Sequence, residues 1–450
     1  MINDSIFREY DIRGIYNEEL TDETAYLIGR GFGSYIKLMG EDTTIIGHDN
    51  RLSSPSLSSN LIKGITESGV HVIDLDLVTT PMYYFSKIFY KINTGIMVTA
   101  SHNPSNYNGF KISFEREKNA YGEKIIEFRE FIKKGNFSYG MGNVLRKDIK
   151  NEYIKLLTQN IKLDKKLKIV VDCGNGTGSI IIRDILDKLN VEYKLIYCDS
   201  DGSFPNHDPD PSVSKNMTEL SNLVRKLNYD LGIGIDGDAD RVGLVDEKGN
   251  IIKTDYYLIV MYKNLYKTIG IKKALFDVKC SRSLIDELDK LNIEKTMYRT
   301  GNSYINMMMQ EGNFTFGGEY SGHIYFRDKF PGFDDGIYAG LRMMELLSNN
   351  NTTLSDELKD IKRYFSTEEI KVNTSDIKKF EIVEKVKEYC KNKGYNVNLT
   401  DGVRVEFIDS WALIRVSNTT PCLTLRFEAV NSERLNEIQE EFMNFINSVL

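Results

Sequence analysis

Three short loops carry the residue types that could do chemistry. In the first, Thr99, Ala100, Ser101, His102, Asn103 and Pro104 follow an apolar stretch of Ile96, Met97 and Val98. A strand that stops in such a polar, proline-closed turn presents a serine hydroxyl at a sheet edge instead of in a core. The second loop, 236–241, follows the stretch 231–235 and places Asp236, Asp238 and Asp240 two residues apart. Their carboxylates can converge on one hard cation, and magnesium prefers oxygen ligands in near-octahedral geometry. Without a cation or an ionised partner the three would repel one another, and Arg241 directly follows them. Glu247 falls twelfth from Asp236, as in a calcium loop of the EF-hand type, but Arg241 stands sixth, where that loop needs glycine. The flanks, moreover, read as strands. The third loop, 317–323, offers Glu319, Ser321 and His323 in a glycine-rich turn. That set suits sugar hydroxyls, each of which both donates and accepts.

The elements around these loops repeat. In the first copy a strand over 44–47 leads to a helix with Leu57, Leu61, Ile62 and Ile65 on one stripe, ended by Gly69, and a second strand over 70–77. In the second, 168–172 is followed by a stripe of Ile181, Ile182, Ile185, Leu186 and Leu189, then a strand over 191–198. In the third, 274–278 precedes Ser281 as N-cap, a helix with Leu284, Ile285, Leu288 and Leu291, and a strand over 293–298. A third strand and one of the loops then follow in every copy. Ligands of open α/β sheets bind at the carboxyl ends of strands, so three such ends facing one cleft would make a composite site.

From about residue 365 the pattern changes to alternation without strand–helix–strand units. The loop at 415–421 and the strand after it supply Arg415, Ser417, Asn418, Thr419 and Arg426, good chemistry for gripping a phosphate. The polar stretch 349–353 reads as part of a linker or hinge. The sequence divides accordingly into units at 1–145, 146–247, 248–355 and 365–450. With 450 residues, 41% of them hydrophobic, there is material for several cores. A net charge of -7 argues against a general nucleic-acid surface. Five cysteines without CxxC spacing fit a reducing compartment, no apolar run approaches a membrane span, and the polar start is unlike a signal peptide. The expectation is a soluble cytoplasmic protein, monomer or dimer, that does not bind nucleic acid or membrane.

The motifs, taken in order, closely resemble the phosphohexomutase superfamily, in particular its phosphomannomutase/phosphoglucomutase branch. They are FREYDIRG (7–14), TASHNP (99–104), NGFKI (108–112), DGDADR (236–241), DVKCSR (277–282), GGEYSGH (317–323), GFDDGIYA (332–339) and RVSNTTP (415–421). The resemblance implies three similar α/β units with mixed sheets and a smaller α+β C-terminal domain around a central cleft. It implies a reversible transfer of a phosphoryl group between O1 and O6 of a mannose or glucose phosphate, through a phosphoserine and a hexose 1,6-bisphosphate. Ser101 would carry the phosphoryl group, and Asp236, Asp238 and Asp240 would bind one Mg2+ per chain together with a phosphoserine oxygen. Arg13, Lys111 and Arg241 match positions at the reacting centre. Tyr10, Lys279, Glu319, Ser321 and His323 would contact the sugar phosphate, with the 415–421 loop and Arg426 on the phosphate that stays. A hexose 1,6-bisphosphate would serve as activator. His102 and Asn103 would orient the serine loop, while His102, Lys111 and His323 all remain candidates for the general base. One segment departs from the pattern: Gly301, Asn302 and Ser303 stand where Gly-His-Ser is common, which removes an ionisable ring. Two other readings use the same residues. Asp236 could be the nucleophile of an aspartyl phosphatase or mutase, or the chain could bind sugar phosphates without turnover. A phosphoglucosamine or phosphopentose mutase would keep the chemistry and change the sugar.

Overall fold

The structure, a computed structural model, describes residues 2–418 and 420–450; Thr419, expected in the phosphate loop, lies outside the described residues. Its first sheet runs, in spatial order, Ile12–Ile15, Tyr107–Ser113, Gly95–Val98, Thr43–His48, His71–Leu77 and Val144–Arg146. In the second the order is Ile251–Ile252, Val242–Asp246, Leu231–Ile235, Lys168–Asp172 and Glu192–Ile196. The third is shorter: Glu294–Tyr298, Lys273–Asp277, Phe316–Gly318 and Ile324–Phe326.

All three contain the same four-strand kernel. The first strand of each copy pairs in parallel with the second and third, and the fourth turns back antiparallel to the third. Each motif loop is the turn between third and fourth strands. Burial explains the local sequence: Gly95–Val98 and Leu231–Ile235 are buried at every position, as parallel strands covered on both faces must be. The helix ends also follow local chemistry. Ser281 caps Arg282–Lys290 by accepting from the Ser283 N–H, and Gly69, at φ +86°, closes the end of Ser54–Glu67. Stretch 349–353 is less of a linker than its polarity suggests. Asn349 and Asn350 complete the helix Gly336–Asn350, and Asn351 ends it at φ 47°, a left-handed conformation asparagine tolerates.

One continuous apolar core joins all three units, running through Tyr83, Tyr153, Val171, Leu258 and Ile337. The C-terminal domain is separate: an antiparallel sheet backed by Lys378–Lys393 and Ser432–Val449, with its own core of Ile382, Val386, Leu425, Phe427 and Phe442. It rests on the third unit, where Trp411 and Leu413 meet Val278. Among the described residues no helix is long and apolar enough to cross a membrane, and all five cysteines are free.

Candidate active site

The three loops and the C-terminal domain face a cleft of about 690 Å³. Its wall includes Tyr10, Arg13, Ser101, His102 and Lys111 from the first unit and Arg241 from the second. Lys279, Glu319, Ser321 and His323 come from the third, and Arg415, Ser417 and Asn418 from the last.

At its floor Asp236, Asp238 and Asp240 are fully buried, with ligand oxygens within 4.8 Å of one another. The Ser101 hydroxyl donates to Asp236 Oδ2 at 2.9 Å, although 135 residues separate them. Lys111 Nζ bridges Asp238 Oδ2 and Asp240 Oδ2 at 2.7 and 2.5 Å. Asp238 Oδ2 also accepts from Thr80 Oγ1 at 2.6 Å, at the start of the helix Thr80–Tyr90, where the helix dipole favours an anion. Burial, then the charges of Asp240 and Asp238, push the Asp236 carboxyl well above the ordinary range. Burial works the same way on Asp238, but Lys111 outweighs it and holds that carboxyl low. Lys111 in turn stays charged, since the two carboxylates overcome its desolvation. Oδ1 of Asp238 and Oδ1 of Asp240 are buried without a hydrogen-bond partner. Unpaired buried carboxylate oxygens in an all-oxygen cluster are what a magnesium ion requires, so the residues fit one.

Around this floor the polar groups are linked. Arg13 donates to Asp11 Oδ2 at 2.5 Å and to Asn103 Oδ1 at 2.8 Å. His102 Nδ1 is 3.2 Å from Ser101 Oγ; burial, Arg241 and Arg13 keep its pKa well below the usual histidine value, so the ring is neutral. Arg241 Nε donates to His323 Nε2 at 3.0 Å, which places the imidazole proton on Nδ1, 2.7 Å from Asp334 Oδ2. Burial disfavours a second proton on His323, but Asp240 and Asp334 outweigh it; taking that proton requires Arg241 to swing away. Asn302 donates to the same Asp334 oxygen. The residue that departs from the family pattern is thus committed to Asp334 and, through it, to His323.

On the sugar side, Glu319 accepts from the Gly301 N–H at 2.9 Å, and burial raises its pKa. Lys279 Nζ meets Glu369 Oε1 at 2.9 Å, an ion pair reaching across from the C-terminal domain. Arg415 Nε donates to Asp401 at 2.8 Å while its Nη2 is buried without a partner, a donor suited to an anion. Arg426 departs from expectation. It is buried outside the cleft wall, donates to the Lys279 carbonyl, stacks 3.8 Å from the Tyr320 ring centroid and faces Asp255 at 3.6 Å. These contacts, all to the third unit, make Arg426 a link between two domains. Sequence reasoning missed Glu369, Asp401 and Asp334. Asp334 alone had a signal, lying inside GFDDGIYA.

Sequence profiles described as phosphoglucomutase/phosphomannomutase alpha/beta/alpha domains I, II and III match residues 4–138, 151–249 and 253–364. The profile of the C-terminal domain matches 369–445. The chain belongs to the phosphoglucomutase/phosphomannomutase family. Among its relatives, a phosphomannomutase/phosphoglucomutase of Pseudomonas aeruginosa is 40% identical over 445 residues, 99% of this chain and 96% of that protein. A phosphoglucomutase of Neisseria meningitidis is 38% identical over 447 residues, 98% of this chain and 97% of the other. The crystal structure of a phosphoglucomutase/phosphomannomutase family protein from Burkholderia thailandensis superposes with a TM-score of 0.92 at 34% identity, covering 100% of this chain and 98% of that one. The family therefore accounts for all four sheets.

Proposed function

We propose that this chain is a phosphohexomutase that interconverts the 1- and 6-phosphates of mannose and glucose through phosphorylated Ser101. The observation that carries the reading is the Ser101 hydroxyl 2.9 Å from Asp236, at the rim of a carboxylate cluster with unpaired oxygens. Relatives named phosphomannomutase/phosphoglucomutase and phosphoglucomutase along nearly the whole chain support it. In the forward step O6 of a hexose 1-phosphate bonds to the phosphorus on Ser101 as the Ser101 Oγ–P bond breaks. The bisphosphate turns over in the cleft, and its other phosphoryl group returns to Ser101. Catalysis of this kind is positioning and stabilisation of charge on the moving group.

Asp236, Asp238 and Asp240 would hold Mg2+, which neutralises charge on the phosphoryl oxygens when bound. Burial and the charges of Asp240 and Asp238 raise the Asp236 carboxyl even with Lys111 and Arg241 nearby, and a divalent ion would favour its ionised form. Lys111, held charged, is an electrostatic group and not the base. The proton lost by the sugar hydroxyl ends on Ser101 Oγ; His102 Nδ1 lies 3.2 Å from that oxygen and orients the serine, while burial, Arg241 and Arg13 disfavour its protonated form. Glu319 and Ser321 read sugar hydroxyls, with Tyr10 and Lys279 beside them, and Arg415, Ser417 and Asn418 grip the phosphate that stays. A hexose 1,6-bisphosphate is the activator, and the cytoplasm the setting.

The test is a panel of mannose, glucose, glucosamine and pentose 1-phosphates with a trace of bisphosphate, together with peptide mass mapping of the phosphorylated protein. The reading expects mannose and glucose phosphates to turn over and one phosphate on the peptide carrying Ser101. Phosphate on Asp236, with Ser101→Ala fully active, would favour the aspartyl mechanism instead. Asn302 in place of histidine is the observation behind the glucosamine and pentose arms.

A further inference from the structure

Ser101 has φ +53°, in the left-handed region that a serine adopts only when its surroundings impose it. Arg51, outside every motif considered so far, supplies that constraint. Its side chain is fully buried, and all five guanidinium N–H donors are used. Nη2 donates to the carbonyls of Ser101 and Asn103 at 2.8 and 2.7 Å, and Nη1 to those of Pro104 and Tyr107 at 2.7 and 3.1 Å. Nε donates to Asp49 Oδ2 at 3.1 Å. Asp49 completes the grip from the other side. Its Oδ2 accepts from Thr99 Oγ1 at 2.7 Å, and Thr99 Oγ1 accepts the Ser101 N–H at 2.9 Å. One buried ion pair thus holds the Ser101 backbone at both its N–H and its carbonyl.

The second unit closes over this arrangement. Phe204 lies 5.0 Å from the Arg51 guanidinium, and Gly202 bridges to Arg51 so closely that an added Cβ would come within 2.7 Å of Arg51 Cα. The metal loop leans on the same peptide, since a Cβ on Gly237 would meet the Ser101 carbonyl at 2.5 Å. We infer that Arg51, paired with Asp49, is the positioning residue that sets the Ser101 hydroxyl against Asp236 for phosphoryl transfer. Arg51 touches neither substrate nor phosphorus; it acts through the loop carbonyls. A lysine offers three donors from one point and cannot replace the planar fork.

The inference rests on Ser101 being the phosphoryl carrier, and the experiment separates the two claims. Dephosphorylated wild type, Arg51→Lys and Arg51→Ala are mixed with glucose 1,6-bisphosphate, and Ser101 phosphorylation is followed by intact mass. Melting curves and the KM for glucose 1-phosphate are measured alongside. Expected is a folded Arg51→Lys protein with a KM close to wild type and a phosphorylation rate lower by roughly 10- to 100-fold, the scale of a slightly misplaced reacting group. Guanidinium ion at low concentration restores phosphorylation of Arg51→Ala, and methylammonium does not. Arg51→Lys phosphorylated at the wild-type rate overturns the inference. So does a loss in both variants that only tracks the unfolded fraction and that guanidinium leaves unrelieved. Wild type that takes no phosphate on Ser101 overturns the proposed function itself.

Discussion

At the scale of single residues, the site is a set of buried charges whose partners are nearly all supplied. Asp238 shows the margin. Its Oδ2 accepts from Thr80 and Lys111, while its Oδ1 has no protein partner. Asp238→Asn keeps the shape but removes charge and an oxygen ligand. It should leave a folded protein with turnover lower by about two orders of magnitude or more and weaker Mg2+ binding in a calorimetric titration. Undiminished activity in excess chelator would sink the metal assignment. A gentler case is Asn302→Ala, which strips one donor from Asp334 while His323 still holds the same oxygen. The expected loss in kcat is about tenfold, the usual scale for an outer partner, with KM little changed. A shift in KM alone would mean Asn302 contacts the sugar instead.

Elements position these residues, and the helix Thr80–Tyr90 does so from an unusual interior. Its N-terminus meets Asp238, while Lys87, one turn from its other end, is buried at 1% exposure beside the Tyr83 and Tyr84 rings. Burial draws the Lys87 pKa from 10.5 down to about 7, with Glu117 and Glu115 only partly opposing it. Between those values the unfolded chain holds a proton that the folded chain has lost, so stability rises with pH by at most about 1.4 kcal/mol per unit. Lys87→Met lacks that slope. The variant should melt higher than wild type at pH 7, and the gap should shrink steadily towards pH 10. A gap independent of pH would show that Lys87 keeps its charge when buried.

For the whole molecule, the partition of cores decides what can move. A shared apolar core joins the three α/β units, beside which the first unit keeps a second core of its own; the main core of the C-terminal domain is separate, and that domain touches the first two units through thin polar contacts. Arg8 meets Asp376 at 3.5 Å and Ser214 meets Glu368 at 2.8 Å, both at exposed positions. Its contact with the third unit is far stronger, through Trp411, Arg426 and the Arg404 bonds to the Val278 and Cys280 carbonyls at 2.6 and 2.9 Å. A bisphosphate that must turn around without escaping calls for a lid, and the domain from about residue 365, with its separate core, is the part predicted to rotate. Sugar phosphate should therefore change its angle to the rest, read by scattering or by paired crystal structures. Arg415→Ala should release more free bisphosphate per turnover. An unchanged angle with normal retention would mean the domain is a fixed wall.

The chemistry was legible in the sequence because each reactive loop is contiguous. A serine turn, an acidic triplet and a glycine-rich hydroxyl reader announce themselves within a few residues, and the repeat that carries them follows from helical stripes and strand runs. Caps such as Ser281 and Gly69 are equally local. What the tertiary structure decided is who pairs with whom. Arg426 looks like a phosphate ligand until the packing of its strand onto the third unit turns it into a strut. Arg51 looks like an ordinary arginine until four carbonyls up to 56 residues away close around it. Glu369 and Lys279 meet only because the C-terminal domain folds back across the cleft. Hydrogen bonds and ion pairs act over a few ångströms of space, whatever the distance along the chain. A local pattern can therefore name the reacting groups, but only the folded arrangement assigns the groups that hold them.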